Sequence, residues 1–352
     1  MIRIPVKASR DYEVLVERGL LDRAGENVCR VTRAQTVALV AGENVYPLYG
    51  AQVTASLEAA GLRVLPFVIT PGESSKTLET YGALLRFLSE NRLTRSDALI
   101  ALGGGVTGDL TGFAAATYQR GVDFVQIPTT LLAMVDSSVG GKTAVDLPTG
   151  KNQVGAFWQP AAVLCDPDTL RTLPEAEYRC GSAEVLKYGV LGSAAFFASL
   201  RQTPIREQEE QVIEKCVTMK RDIVHEDEYD RGLRQLLNLG HSFGHAVEQC
   251  SGFRVLHGQA VAIGMAIMAR AAAAKGYCSA ETCEEILALL RQYGLPTETD
   301  YPLPELAAAM GTDKKLTGKM MHLVVPREIG RCEILPVPLA EIRDWLRAGG
   351  VR

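Results

Sequence analysis

Three of the five histidines in this sequence lie within one short stretch, and two of them are four residues apart. On a helix, this spacing places the imidazoles of His241 and His245 on the same face. His257 opens the next apolar segment, and Glu184 offers a carboxylate inside an apolar helical stretch upstream. Imidazole and carboxylate ligands without thiolates suit zinc or a similar divalent ion that keeps a position open for substrate. A hydrogen-bonded histidine pair at a helix N-terminus is the alternative that the spacing leaves open.

A second candidate is the glycine-rich turn Gly-Gly-Gly-Val-Thr-Gly-Asp at residues 103–109, which joins a strand pattern to a helical pattern. Glycines at such a turn let a phosphate group approach the backbone N–H groups of a helix N-terminus. The turn lacks the Gly-x-Gly-x-x-Gly spacing and does not follow the first strand of the chain. Both a dinucleotide or phosphate loop and a bare tight turn are therefore consistent with it.

Lysines among glycines form a third candidate in residues 135–160, which are rich in Gly, Ser, Thr and Lys and weak in periodicity. Lys142, Lys151 and Asn152 suit the binding of phosphate oxygens, although a solvated loop fits the same composition.

Lys220 lies on the apolar stripe of a helix predicted at residues 207–224. A lysine at such a position needs an anion or must extend towards solvent.

The elements that must position these residues alternate in type through the first half of the chain. Strand patterns and helical patterns follow one another, with strands at residues 35–40, 63–69 and 98–102 and helices at 46–60 and 77–90. This alternation predicts βαβ units and a mainly parallel sheet. Open α/β sheets bind ligands beyond the carboxyl ends of their strands, so the loops there should converge on one cleft.

After residue 165 the sequence shows mainly helical patterns. We therefore predict an α/β N-terminal nucleotide-binding domain with a parallel sheet at residues 1–165. A mainly α-helical domain that binds metal and substrate should follow at residues 166–352. A hairpin is expected near the end of this second domain, at residues 320–325 and 331–335.

Composition excludes several classes of protein. A chain of 352 residues with 47% hydrophobic and 22% charged residues is typical of a soluble protein with two domains. The net charge of −4 gives no electrostatic basis for binding nucleic acid or an anionic membrane. No secretory pattern or membrane-spanning run is visible, and the eight cysteines form no Cys-x-x-Cys pair. We expect a cytoplasmic protein with reduced cysteines.

Six motifs in order along the chain resemble those of the 3-dehydroquinate synthase family of sugar-phosphate cyclases. They are Gly-Gly-Gly-Val-Thr-Gly-Asp, Gln-Ile-Pro-Thr-Thr-Leu-Leu, Val-Asp-Ser-Ser-Val-Gly-Gly-Lys-Thr, Gly-Ala-Phe-Trp-Gln-Pro, Ala-Glu-Val-Leu-Lys-Tyr-Gly and Leu-Asn-Leu-Gly-His-Ser-Phe-Gly-His-Ala. The resemblance implies an α/β nucleotide-binding domain, a helical domain and an active site between them. It also implies a lyase of the shikimate pathway and of aromatic amino acid biosynthesis, acting as a homodimer. The reaction would convert 3-deoxy-D-arabino-heptulosonate 7-phosphate to 3-dehydroquinate and phosphate through transient oxidation by NAD, phosphate β-elimination, re-reduction and aldol closure.

The resemblance also implies roles for single residues. A divalent ion, zinc or cobalt, would be held by Glu184, His241 and His257, which leaves His245 to contact substrate. NAD would be held by Asn44, Glu73, Lys76, Gly105, Val106, Thr107, Gly108, Asp109, Thr129, Thr130, Lys142, Lys151, Thr169, Leu170, Arg171 and Thr172. The substrate carboxylate would meet Lys220 and Arg234, and the ring hydroxyls would meet Asp136, Lys187 and Asn238. The phosphate would meet Asn152, His245, Lys314, Lys315 and, from a second subunit, Arg120.

Three rival functions fit these residues less well than this expectation. Another sugar-phosphate cyclase, with a substrate that lacks the carboxylate, would not need the pair Lys220 and Arg234. A metal-dependent polyol or glycerol-phosphate dehydrogenase needs no device for phosphate elimination, which Lys142, Lys151, Asn152 and Arg120 would supply. A non-catalytic NAD-binding protein would not need metal ligands together with acid–base groups.

Overall fold

Within the part of the chain that the structure describes, the strands form one large sheet and two hairpins. The structure is a computed structural model, and it describes residues 1–311 and 320–352. The strands are β1 (Ile2–Val6), β2 (Tyr12–Val16), β3 (Thr36–Gly42), β4 (Arg63–Ile69), β5 (Ala98–Gly103), β6 (Asp123–Pro128), β7 (Lys142–Leu147), β8 (Gly150–Phe157), β9 (Ala162–Cys165), β10 (Met320–Glu328) and β11 (Arg331–Pro338). The seven-stranded sheet has the order β1-β2-β9-β6-β5-β3-β4. Only β1 and β2 pair antiparallel in it, so the predicted mainly parallel sheet is confirmed.

Helices fill most of the chain between and after these strands. They are α1 (Ala24–Val31), α2 (Ala51–Ala59), α3 (Leu78–Glu90), α4 (Gly105–Thr117), α5 (Glu175–Gly192), α6 (Ala194–Gln202), α7 (Glu209–Glu226), α8 (His241–Cys250), α9 (His257–Ala274), α10 (Ala280–Gln292), α11 (Leu303–Ala309) and α12 (Ile342–Ala348). Within the described ranges, no helix is both long enough and apolar enough to cross a bilayer.

Both faces of the large sheet are buried. Along β3, Leu39 belongs to one apolar cluster, and Val40 next to it belongs to a second cluster. The same alternation separates Ile100 from Leu99 on β5. Successive side chains of a strand point to opposite faces, so the two clusters lie on the two sides of the sheet. Helices on both sides explain why the parallel strands are nearly continuous apolar runs.

Contacts between Cα atoms divide the chain into two units. The first comprises residues 1–173 and 209–229, and the second comprises residues 174–208 and 230–352. Helix α7, which carries Lys220, therefore packs with the large sheet, whereas the sequence analysis placed it in the helical domain. The division into domains at residues 165 and 166 stays a prediction.

The glycine- and lysine-rich stretch of residues 135–160 is not an extended solvated loop. Residues 142–157 form the antiparallel hairpin of β7 and β8, and Thr143 pairs with Ala156 in it. The second predicted hairpin is also present, as β10 paired with β11. Its first strand begins directly after the residues that the structure does not describe.

Candidate active site

Three helices of the second unit bring a carboxylate and two imidazoles together. Glu184 lies in the middle of α5, His241 opens α8 and His257 opens α9. The Nε2 atoms of His241 and His257 lie 3.5 Å and 3.4 Å from Glu184 Oε1. One ligand atom from each of the three side chains lies within 4.8 Å of the other two. This donor set of one oxygen and two imidazole nitrogens suits a divalent ion with an open coordination position.

Glycines allow the three helices to approach closely enough for this cluster to form. A Cβ atom on Gly258, next to His257, would lie 2.0 Å from the carbonyl oxygen of Cys180 on α5. A Cβ atom on Gly264 would lie 1.9 Å from the carbonyl oxygen of Gly240, directly before His241. Such distances are far inside van der Waals contact, so only glycine fits there without moving a helix.

The ring of His241 is oriented by a backbone group. Its Nδ1 lies 3.1 Å from the carbonyl oxygen of Leu239, to which Nδ1–H can donate. This hydrogen bond assigns the tautomer in which Nε2 keeps its lone pair and faces Glu184. Burial lowers the pKa of His241 to about 3. The imidazole is therefore neutral, as a metal ligand must be.

The ring of His257 has a different electrostatic environment. Burial disfavours its charged form, but hydrogen bonds to the carboxylates of Glu184 and Glu248 outweigh this and raise its pKa to about 9. The cluster thus favours a positive charge at this position, which is what a bound cation would supply. Cys180 is close to this helix end, but burial raises the pKa of its thiol to about 12, so it offers no thiolate.

Two further side chains adjoin the cluster. Lys187 Nζ lies 2.5 Å from Glu184 Oε2, and both side chains are almost completely buried. His245 is largely exposed, and its ring centroid lies 5.5 Å from that of His241. The structure therefore brings Lys187 and His245 to the edge of the cluster, as predicted for substrate contacts, but their roles stay predictions.

Glu248 is a residue of this cluster that the sequence analysis did not single out. Its side chain is buried on α8 and lies 3.4 Å from His257 Nδ1. It also lies one helical turn after His245, and an acidic residue at this spacing usually marks a solvated helix face. A buried position for it follows only from the packing of α8 against α9, which the local pattern does not show.

A short 3₁₀ helix, residues 233–238, carries the predicted substrate contacts Arg234 and Asn238. Arg234 is buried, and Asn238 is half-buried. His322 on β10 lies with its Nδ1 2.8 Å from Gln235 Oε1, and this hydrogen bond connects the hairpin to the 3₁₀ helix. The predicted phosphate contacts Lys314 and Lys315 lie outside the described residues.

In the first unit, the glycine-rich turn begins α4 directly after β5. The N-cap residue of this helix is Gly104, which has no side chain to accept a hydrogen bond from the first backbone N–H groups of α4. A Cβ atom on Gly103 would lie 2.6 Å from Thr107 Oγ1, and one on Gly104 would lie 3.0 Å from Thr130 Cγ2. An uncapped helix N-terminus behind a glycine turn suits the pyrophosphate of a dinucleotide.

The other predicted NAD contacts follow neighbouring strands of the sheet. Asn44 follows β3, Thr129 and Thr130 follow β6, and Thr169 to Thr172 follow β9. Tyr49 connects two of these loops, because its hydroxyl donates to the carbonyl oxygen of Thr169 at 3.1 Å and lies 2.5 Å from Thr172 Oγ1. Carboxyl ends of parallel strands meet at one edge of a sheet, so these loops share the edge where ligands of such sheets bind.

A buried lysine joins three of the predicted residues. Lys76 Nζ lies 2.6 Å from Asp109 Oδ2 and 2.5 Å from Asn152 Oδ1. Burial alone would lower the pKa of Lys76, but the carboxylates of Asp109 and Glu73 outweigh it and raise that pKa. Lys151 also approaches Glu73, with 3.6 Å between Nζ and Oε1. Lys76 therefore stays charged among these carboxylates.

Asp146 on β7 is a second residue that the sequence analysis missed. Its Oδ1 accepts a hydrogen bond of 2.7 Å from the backbone N–H of Asn152, which has a left-handed φ of 56°. The backbone N–H of Asp146 in turn donates to the carbonyl oxygen of Lys76 at 2.8 Å. Asp146 thus attaches the β7–β8 hairpin to the loop after β4, and no local sequence pattern indicates this link.

The remaining predicted substrate contacts of the first unit lie on three elements. Lys220 Nζ on α7 lies 2.7 Å from the carbonyl oxygen and 2.9 Å from Oδ1 of Asp136. Lys142 is exposed at the start of β7. Arg120 is exposed after α4 and has a left-handed φ of 66°, directly after Gln119 with a φ of 52°. Two successive left-handed residues other than glycine are uncommon, and such strain clusters at functional sites.

The chain matches two family profiles in sequence. The profile described as 3-dehydroquinate synthase N-terminal matches residues 66–180. The profile described as 3-dehydroquinate synthase C-terminal matches residues 181–316. Together they cover residues 66–316, which include α5, α8 and α9 with the cluster of Glu184, His241 and His257.

Similar proteins cover nearly the whole chain. A 3-dehydroquinate synthase of Streptococcus suis is 43% identical over 96% of this chain and 97% of its own length. A 3-dehydroquinate synthase of Neisseria meningitidis is 44% identical over 95% of each chain. Among solved structures, a 2-epi-5-epi-valiolone synthase from Streptomyces hygroscopicus with NAD⁺ and Zn²⁺ bound is 29% identical, with a TM-score of 0.87 and 99% of both chains covered.

Proposed function

Because this chain belongs to the 3-dehydroquinate synthase family, we propose that it converts 3-deoxy-D-arabino-heptulosonate 7-phosphate to 3-dehydroquinate and inorganic phosphate. The proposal includes NAD and a divalent ion, zinc or cobalt, as resident cofactors. The observation that carries it is the convergence of Glu184, His241 and His257, whose ligand atoms lie within 4.8 Å of one another. Their donor atoms and the orientation of His241 fit a catalytic divalent ion.

When bound, NAD would accept and later return a hydride, and the divalent ion would polarise the alcohol that loses it. The chain's own residues hold these groups. Glu184, His241 and His257 would bind the ion, and support comes from the related valiolone synthase, whose structure contains Zn²⁺ and NAD⁺. The first backbone N–H groups of α4 would bind the NAD pyrophosphate. Glu73, Lys76, Asp109, Lys151 and the loops after β3, β6 and β9 would bind its remaining parts.

The substrate contacts are proposed from charge and burial. Lys220 and Arg234 are buried cations that would bind the substrate carboxylate. Asp136, Lys187 and Asn238 would bind the ring hydroxyls. The phosphate would be bound by Asn152 and His245, by Lys314 and Lys315, and by Arg120 of a second subunit. Lys142 would add a further positive charge where phosphate leaves.

We also propose that the enzyme is a cytoplasmic homodimer. The exposed, left-handed backbone at Arg120 supports a side chain presented to a partner. The eight cysteines are free thiols, which is consistent with a reducing compartment.

The test follows phosphate and cofactor absorbance together in one reaction. The purified protein receives the seven-carbon 2-keto acid phosphate with sub-stoichiometric NAD. Because the hydride returns before product is released, many turnovers per NAD are expected, with one phosphate per substrate consumed and net NADH near zero. A Glu184→Ala variant, which loses a proposed metal ligand, provides the control and should be inactive.

Two other results would identify other functions. Stoichiometric NADH without phosphate would indicate a polyol or glycerol-phosphate dehydrogenase. Phosphate release only from a sugar phosphate that lacks the carboxylate would indicate a cyclase of the valiolone synthase type, which the structural likeness makes the nearest alternative.

A further inference from the structure

The side chain of Glu248 turns into the histidine cluster instead of towards solvent. Only 3% of this residue is exposed. Its Oε1 lies 3.4 Å from His257 Nδ1, and its Oε2 lies 4.0 Å from His245 Nε2. The opposite nitrogen of His257, Nε2, lies 3.4 Å from Glu184 Oε1. The imidazole of His257 is thus placed between two buried carboxylates, one at each ring nitrogen.

This arrangement determines which nitrogen of His257 can bind a metal ion. The carboxylate of Glu248 accepts a hydrogen bond from Nδ1–H, so Nε2, which faces Glu184, is the nitrogen that can give up its proton and bind a metal ion. Metal-bound histidines commonly donate their second ring N–H to a carboxylate or a backbone carbonyl, which fixes the ring and its tautomer. His241 uses a neutral carbonyl for this purpose, that of Leu239. His257 has a charged partner in the corresponding position.

The main chain of Glu248, and not its side chain, contributes to the end of α8. The end of this helix is closed by backbone and hydroxyl groups: the N–H of Phe253 and the hydroxyl of Ser251 both donate to the carbonyl oxygen of Glu248. These bonds involve the main chain and would survive replacement of the side chain. A carboxylate is also an unfavourable residue to bury unless its charge is used.

We propose that Glu248 is the positioning residue for His257: it holds Nδ1–H, directs Nε2 to the metal position and adds negative charge behind a neutral ligand. It acts through His257 and contacts no reacting atom itself. Its second oxygen lies 4.0 Å from Nε2 of His245, a proposed substrate contact. This inference rests on the proposed metal site.

The experiment measures metal binding directly, without turnover. Metal-free protein is titrated with Co²⁺ against a chelator of known affinity, and the visible absorption of bound Co²⁺ is recorded. The variants are Glu248→Gln, Glu248→Ala and His257→Ala. Glu209→Gln is the matched control, because Glu209 is another buried glutamate on a helix, paired with Arg18 in the first unit.

Loss of a partner to a ligating histidine typically weakens metal binding by about 10- to 100-fold. We expect this loss in Glu248→Ala, together with a changed Co²⁺ spectrum. Glu248→Gln should show a smaller loss, since the amide oxygen still accepts from Nδ1–H but carries no charge. Glu209→Gln should bind Co²⁺ like the unaltered protein.

The outcomes separate this inference from the proposed function. If the unaltered protein and His257→Ala bind Co²⁺ equally, the proposed metal site is wrong. If His257→Ala loses Co²⁺ while both Glu248 variants keep the original affinity and spectrum, only the role of Glu248 is wrong. A structural role alone would lower the melting temperature of the metal-free variants and leave the Co²⁺ affinity of the folded protein unchanged. Should Glu248→Ala not fold, Glu248→Gln decides in the same way.

Discussion

Among single residues, the buried pair of Glu184 and Lys187 offers a test of how the cluster is held together. The two charged atoms lie 2.5 Å apart, and the side chains are 0% and 1% exposed. Removing one partner of a buried pair typically lowers stability by about 3–5 kcal/mol, because the other charge stays buried. Lys187→Met should therefore lower the free energy of unfolding of the metal-free protein by about this amount, measured by urea denaturation.

A double-mutant cycle with Glu184→Gln isolates the pair. If the two side chains interact, Lys187→Met should have a much smaller effect in the Glu184→Gln background. Equal effects in both backgrounds would show that the ion pair does not stabilise the cluster. Arg30→Met is the surface comparison: its exposed pair with Glu26 should contribute no more than about 1 kcal/mol.

Lys220 is the residue whose replacement should separate substrate binding from cofactor binding. A charge-assisted hydrogen bond to a substrate anion contributes about 1.5–3 kcal/mol, so Lys220→Met should lower kcat/KM by roughly 10- to 150-fold. NAD affinity, measured by fluorescence titration, should change little. Lys215→Met on the same helix, at an exposed position, should leave both quantities unchanged. A parallel loss of NAD affinity in Lys220→Met would make Lys220 a structural residue.

The histidine cluster shows how far residue spacing alone can be taken. The interval of four residues correctly places His241 and His245 on one helix face, but it selects His245 as a ligand. The structure brings His257, from the start of the next helix, to Glu184 and His241, and it also brings His245 and Glu248 within ligand distance of His257. Family resemblance predicted the set of Glu184, His241 and His257. The local sequence pattern did not predict the role of Glu248. Its side chain is buried because α9 packs against α8 in space, and residue spacing within α8 does not show this packing.

At the scale of elements, the close approach of α5 and α9 should be sensitive to one added methyl group. A Cβ atom on Gly258 would lie 2.0 Å from the carbonyl oxygen of Cys180. Overpacking of this kind typically destabilises by about 1–3 kcal/mol, because the helices must separate. Gly258→Ala should therefore lower the free energy of unfolding and weaken Co²⁺ binding, since His257 moves with its helix.

Gly82→Ala on α3 is the matched control. A Cβ atom there would meet only the end of the flexible Arg86 side chain, at 3.8 Å. Alanine is the better helix former by about 0.5–1 kcal/mol, so this variant should be slightly more stable and should bind Co²⁺ normally. Normal metal binding in Gly258→Ala as well would show that the glycine is not needed to position His257.

Three of the seven strands of the sheet, β3, β4 and β5, were predicted because their signals are local. Apolar runs bounded by turn residues identify β3, β4 and β5, and the glycine turn marks the start of α4. The β7–β8 hairpin was not predicted, since its pairing of Lys142 with Phe157 joins residues far apart in a stretch of weak periodicity. The bond from Asn152 to Asp146 depends on that pairing, so it could not be read from composition either.

At the scale of the whole molecule, Arg120 provides a test of assembly. Subunits inactivated by Arg120→Ala are mixed with subunits inactivated by Glu184→Ala. If Arg120 is donated to the partner's site, mixed dimers contain one site with both residues, so part of the activity should return. No recovery after verified subunit exchange would place Arg120 in the site of its own subunit. Two Arg120→Ala preparations mixed with each other should stay inactive.

The predicted division of the chain into two consecutive domains differs from the contact-based units at α7. This helix comes from residues 209–226, after the chain has already entered the second unit, and it packs against β1 and β2. Its apolar stripe of Val212, Ile213, Cys216 and Val217 indicates a buried face but does not show which surface covers that face. Lys220 lies on the same stripe. It would have indicated that α7 packs with the sheet of the first unit only if Asp136 had already been known as its partner.

The return of α7 also affects the order in which the protein can fold on the ribosome. The emerging chain finishes residues 1–173 well before it supplies residues 209–229 of the same unit. At about 5–20 residues per second, the intervening synthesis takes roughly 3 to 11 seconds, during which β1 and β2 lack the helix that covers them. We expect nascent chains arrested at successive lengths to become resistant to protease in the first unit only after residue 229 has emerged. The amino-terminal half of this polypeptide therefore has to wait until about two thirds of the chain has been translated.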